Sequence, residues 1–79
     1  MNQPLIERII LNNLDNIAPR MMAESVLWNE VHLDDDSVNF TSFRNALSSL
    51  QEKGQAVVID GEDRSKVKIT QAGAARLAE

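Results

Sequence analysis

The chain has 79 residues, with 8 Lys and Arg against 12 Asp and Glu, for a formal net charge of −4. That length allows one domain, spanning 1–79, whose fold buries only about 60% of the surface its unfolded chain exposes, and a hydrophobic content of 43% at periodic positions argues against disorder. Without cysteine there is neither a disulfide framework nor a thiolate metal site; no basic segment followed by an apolar run opens the chain, and no apolar stretch nears the ~20 residues of a membrane span, so a soluble, cytoplasmic protein with no membrane partner is expected.

Pro4 suits the first turn of a helix, and Leu5, Ile6, Ile9, Ile10, Leu14 and Ile17 continue a helical apolar stripe. Helix 1 is predicted over Pro4–Asp15, weakened towards its end by Asn12, Asn13, Asp15 and Asn16 and stopped by Pro19. Leu11 lies off the stripe, either as core beneath another helix, the favoured reading, or as part of a subunit contact. Helix 2 is predicted from Pro19 to Val31, with Met22, Ala23, Val26, Leu27 and Val31 on its buried side. Trp28, the sole tryptophan, is either a partner-interface anchor or, as favoured in so small a domain, a large residue closing one side of the core. His32 has no Cys or His companion and reads as a surface or helix-end residue. Asp34, Asp35 and Asp36 lack the alternating ligands and glycine of a calcium loop, and read as a solvated loop that favours the positive end of the next helix.

The best-bounded element follows. Asn39 is a favoured N-cap, with Val38 before it placed to staple onto Phe43, and Gly54 marks the end behind Lys53. Between them, over about 40–53, Phe40, Phe43, Leu47 and Leu50 share one inward face with Ala46 at its margin. Thr41, Asn45, Ser48 and Ser49 lie opposite, with Arg44 at the flank, all able to hydrogen-bond and none acidic. A hairpin is predicted next, over about 55–70: the β-branched run Gln55–Asp60, a turn from Gly61 to Ser65 that includes Glu62, Asp63 and Arg64, then Lys66–Thr70 with Val67 and Ile69 facing the core and Lys66 and Lys68 facing water. Thr70 can cap a short last helix, Gln71 to about Ala78, whose Gly73 allows close packing on another backbone.

Helix, helix, helix, hairpin, short helix is the order of a winged helix-turn-helix, a mainly α (α+β) fold with a three-helix core, and the sequence resembles that family in two stretches. F-R-N-A-L-S-S-L-Q-E-K-G-Q-A-V, from Phe43 to Val57, is similar to a recognition helix running into the first wing strand. V-K-I-T-Q-A-G-A-A-R-L-A, from Val67 to Ala78, is similar to the segment after the wing in bacterial regulators of the MarR and PadR kinds. The resemblance implies a small transcriptional regulator that binds double-stranded DNA, its recognition helix in the major groove and its wing on the backbone. By position, Thr41, Ser42, Arg44, Asn45 and Ser48 would approach bases or phosphates, and Arg64, Lys66 and Lys68 would be wing contacts. Arg can pair with guanine and Asn with adenine through two hydrogen bonds, while Ser, Thr and Lys can hold phosphates.

Charge distribution bears on that expectation, because DNA affinity rests largely on Lys and Arg. Residues 1–40 hold seven acids and two bases, net −5, and residues 41–79 five acids and six bases, net +1. The expected reader is therefore on the less acidic half. Two half-sites would nearly double the contacts, so a homodimer is expected, with helix 1 through Leu11 or the last helix through Leu77 as pairing surfaces. The competing expectation is a winged helix that binds a basic protein partner through its acidic first half as an adaptor, without DNA. No nucleophile-plus-base pair, phosphate loop or metal-ligand cluster points to an enzyme, and no cofactor is expected.

Overall fold

The computed structural model describes residues 2–62 and 64–79. In chain order these form α1 (Gln3–Ile17), β1 (Met22–Ala23), α2 (Glu24–Asp34), α3 (Phe40–Glu52), β2 (Ala56–Asp60), β3 (Ser65–Ile69) and α4 (Gln71–Leu77). Asp63, assigned to the hairpin turn from sequence, lies outside the described residues.

Helix α1 is longer than its polar tail suggests. Its N-cap is Asn2, whose side chain accepts from the Leu5 N–H at 3.1 Å, and Pro sits in the first turn. Asn13 does not weaken the helix, because its Nδ2 donates to the Ile9 carbonyl at 2.9 Å and to Asp34 Oδ2 at 2.8 Å, tying α1 to the end of α2. The helix therefore reaches Ile17, and the chain turns through the cis Ala18–Pro19 bond. Leu11 is wholly buried, which makes it core and removes it as a pairing surface; Leu5, expected on the inward stripe, is half exposed.

The second helix differs most from expectation. It begins at Glu24 rather than Pro19, because Met22 and Ala23 are held extended by antiparallel pairing with Val67 and Lys66 of β3. These two residues complete a sheet of order β1-β3-β2. Leu27 and Val31 are buried as expected, whereas Val26 is exposed. Asp35 closes the helix, and hydrogen bonds from the Ser37 hydroxyl and N–H hold its carboxyl below the usual range.

Helix α3 follows its caps. The Asn39 side chain accepts from the Ser42 N–H at 2.8 Å. At the other end Gly54 N–H donates to the Gln51 carbonyl and Gln55 N–H to the Leu50 carbonyl, the paired bonds of a Schellman motif. Gly54 sits at φ +70°, so although a Cβ there would meet open space, it would be strained. Gly54→Ala is expected to cost about 1 kcal/mol, visible as a fall of roughly 4–8 °C in Tm.

Phe43, Ala46, Leu47 and Leu50 enter one core with Ile6, Ile10, Leu11 and Leu14 of α1, Leu27 and Val31 of α2, and Val67 and Ile69 of β3. Phe40, expected inside, is half exposed at the front of α3, where it packs edge-on against Trp28 with ring centroids 5.4 Å apart. Trp28 is half-buried, lies against the core and also faces His32 and Phe43, as the structural reading anticipated. The His32 ring stands with Nδ1 3.3 Å from the Val38 carbonyl, a contact that requires Nδ1–H to donate.

Helix α4 closes the fold. The Thr70 hydroxyl accepts from the Gly73 N–H and donates to the Gly54 carbonyl, and Thr70 N–H donates to the Gln55 carbonyl. Beneath it Glu7 is almost fully buried, and its Oε1 meets Arg76 at 2.6 Å and Lys53 at 3.0 Å. Gln3 donates to its other oxygen at 3.0 Å. One carboxylate thus joins α1, α4 and the end of α3.

Candidate nucleic-acid interface

Thr41, Arg44, Asn45 and Ser48 recur at spacings of three, one and three, the pattern of one helical face, and all four are exposed. The inward side of α3 is fixed by Phe43, Ala46, Leu47 and Leu50, so this face cannot turn inward without emptying the core. Ser42 lies about a quarter-turn off it, half-buried, with its N–H bound to the N-cap. Four of the five residues expected to read bases or phosphates therefore share a surface, and Ser42 sits beside it.

Strand parity decides what the wing adds. Val67 and Ile69 point inward, so Lys66 and Lys68 are on the outer side of the sheet, opposite Ile59 and Val57 of β2. Both lysines are exposed, as expected, and the two aliphatic residues beside them are exposed as well. Arg64 and Lys66 border a shallow depression at the tip with Gly61 and Glu62, and the turn is closed by the Gly61 N–H donating to the Arg64 carbonyl at 3.0 Å.

The residues facing the other way are different. Asp60 and Ser65, a pair at the end of the hairpin, line a cleft of about 100 Å³ together with Arg44, Ser48 and Gln51 of α3 and Glu24 of α2. The Ser65 hydroxyl donates to Asp60 Oδ1 at 2.8 Å. Arg44 Nη1 donates to Glu24 Oε1, so the one arginine on the exposed helix face has a carboxylate partner from a different helix. The wing thus brings a hydroxyl and a carboxylate to the side of α3, while its lysines stand on the far side of the sheet.

Sequence reading missed both Glu24 and Asp60 as neighbours of this face. Asp60 had a local signal in the alternation of the hairpin, which puts it on the inward side with Ser65. Glu24 had none, since its place depends on the two-residue strand before it.

The fold is similar to the crystal structure of the "putative transcriptional regulator TA0346" from Thermoplasma acidophilum, on which the chain superimposes with a TM-score of 0.74. The chain has a winged helix-turn-helix fold. The match covers 96% of this chain and 74% of that one at 23% sequence identity, a level that carries the fold and leaves activity to be argued from the residues. No protein-family model and no curated protein sequence matches the chain. Within this fold α3 is the third helix and β2–β3 form the wing hairpin; among the described residues no helix is long and apolar enough to cross a membrane.

Proposed function

We propose that residues 1–79 act as one winged-helix domain that binds double-stranded DNA sequence-specifically, as a small cytoplasmic transcriptional regulator. The observation that carries this reading is the uncovered face of α3. Thr41, Arg44, Asn45 and Ser48 offer hydrogen-bonding groups of neutral or positive charge on one side of a rigid, capped helix. Arg44 and Asn45 have the chemistry to read base edges in the major groove; Thr41, Ser42 and Ser48 suit phosphates. Arg64, Lys66 and Lys68 are the wing's cations for the flanking backbone, and their action there would be sensitive to salt. The name of the fold neighbour is in keeping with a regulator. A net charge of −4 leaves each copy few phosphate partners, which favours binding as a homodimer on two half-sites.

An amide NMR titration with a mixed-sequence duplex at low salt tests the reading. Shifts at 41–48 and 64–68, reversed by added salt, are expected. Once a preferred site is found, Arg44→Ala is expected to weaken specific binding by roughly 1–3 kcal/mol. Unchanged affinity would take Arg44 off the reading face.

A second reading, an adaptor that binds a basic protein, is favoured by Leu33, which is 79% exposed next to Asp34, Asp35 and Asp36. Amides unmoved by DNA at low salt would transfer the functional site to that acidic, apolar corner.

A further inference from the structure

We infer that Glu24 is the residue that sets the sequence selectivity of this domain, by holding Arg44 in a reading orientation. The inference rests on the DNA-binding reading of α3. Arg44 is long and half exposed, and left alone it would sample many rotamers over the groove. Its guanidinium is a planar fork of five donors, and a hydrogen bond at one nitrogen restrains the whole plane while leaving the other donors for a base or phosphate. Glu24 supplies that bond.

Glu24 is suited to the task because it is itself well fixed. Its side chain is 22% exposed against 53% for Arg44, and it lines the same cleft as Leu47 and Val58. Its backbone follows directly on Ala23, which pairs with Lys66 in the sheet. The carboxylate is therefore anchored to the root of the wing, and through it the orientation of Arg44 on α3 is referred to the position of β3. An acid this close to DNA would repel phosphates, so its contribution to overall affinity is unfavourable. Its favourable contribution is discrimination, since an arginine already oriented loses less freedom when it meets the right base than a mobile one does.

The sign of two quantities separates this role from a plain surface ion pair and from a contact that withholds Arg44 from DNA. In the free protein, ¹⁵N relaxation of the Arg44 Nε–H is expected to show an ordered side chain in the wild type and a loosened one in Glu24→Gln. Equal mobility in the two overturns the proposal without reference to DNA.

With DNA, a duplex selected by the wild type is competed against a mixed-sequence duplex at fixed salt. Glu24→Gln is expected to bind the mixed duplex more tightly and to lose about tenfold in selectivity. Glu24→Asp keeps the charge but has one methylene less of reach, and is expected to lose selectivity with no gain on the mixed duplex. Selectivity that is unchanged or increased in both variants overturns the proposal and leaves the DNA reading standing. A wild type that prefers no sequence overturns the DNA reading, and the role of Glu24 with it.

Discussion

Glu7→Ala is expected to lower the unfolding free energy by about 3–5 kcal/mol, because removing one partner of a buried ion pair leaves the others uncompensated. The Glu7 side chain is 1% exposed, and Arg76, at 17%, has little water to turn to when the carboxylate is gone. Lys53 is 48% exposed and can rehydrate, so most of the loss is assigned to Arg76. Urea denaturation of wild type and variant checks the figure through the shift in midpoint. A loss below about 1 kcal/mol would mean that the triad behaves as an ordinary surface pair.

The same group gives the domain an acid-sensitive component. Burial alone would push the Glu7 carboxyl up, but hydrogen bonds from Arg76, Lys53, Gln3 and Ser49 outweigh it and hold the pKa at about 2, against 4.5 in the unfolded chain. Between those values the unfolded state binds the proton and the folded state does not, so stability falls as pH falls. The contribution, on the order of 3 kcal/mol, is fully present above pH 4.5 and lost as pH falls through about 2. Glu7→Gln lacks this component, and its stability is expected to approach that of the wild type as the pH is lowered through this window. Parallel pH profiles for the two proteins would contradict the assignment.

Gly73→Ala is the second large effect. A Cβ at Gly73 would lie 2.2 Å from the Gln55 carbonyl oxygen, 2.9 Å from Ile69 Cγ1 and 3.1 Å from Leu11 Cδ2. The first of these is backbone, so no rotamer change relieves it and α4 itself must move. Moving α4 disturbs the Thr70 N–H bond to the same carbonyl and the reach of Arg76 to Glu7. The gain in helix propensity from alanine, about 1 kcal/mol, is outweighed by an overpacking cost of about 3 kcal/mol, and a net loss of about 2 kcal/mol is expected. At this size that corresponds to a fall of roughly 8–16 °C in Tm, which thermal unfolding followed by circular dichroism would read. A variant that melts with the wild type would show that α4 can step back at little cost.

The elements that the sequence made legible are those governed by near neighbours. Asn39 and Gly54 bound α3, Thr70 starts α4, and the alternation from Lys66 to Ile69 fixes which side of β3 is buried. The exposed face of α3 was legible for the same reason, since Thr41, Arg44, Asn45 and Ser48 take their direction from the apolar positions between them. What escaped was set by residues distant in the chain. Met22 and Ala23 carry no strand signature of their own and become one only against β3, and that displaced the start of α2 by several residues. Phe40 continues the apolar spacing of α3 but lies beyond the edge of the core, where its ring packs on Trp28 instead. Glu7 had no local signal in the sequence, because its cationic partners are 46 and 69 residues away. In the candidate site, the contact of Arg44 with Glu24 spans 20 residues and depends on the misplaced start of α2.

The 69-residue reach from Glu7 to Arg76 also bears on how the protein is made. Helix α1 is synthesised first and can coil by local bonds, but the guanidinium that permits its carboxylate to be buried is delivered only after the wing and most of α4 have been added. At ~5–20 residues per second, several seconds separate the two events. During that interval the Glu7 carboxylate lacks the cation that compensates its burial in the folded domain.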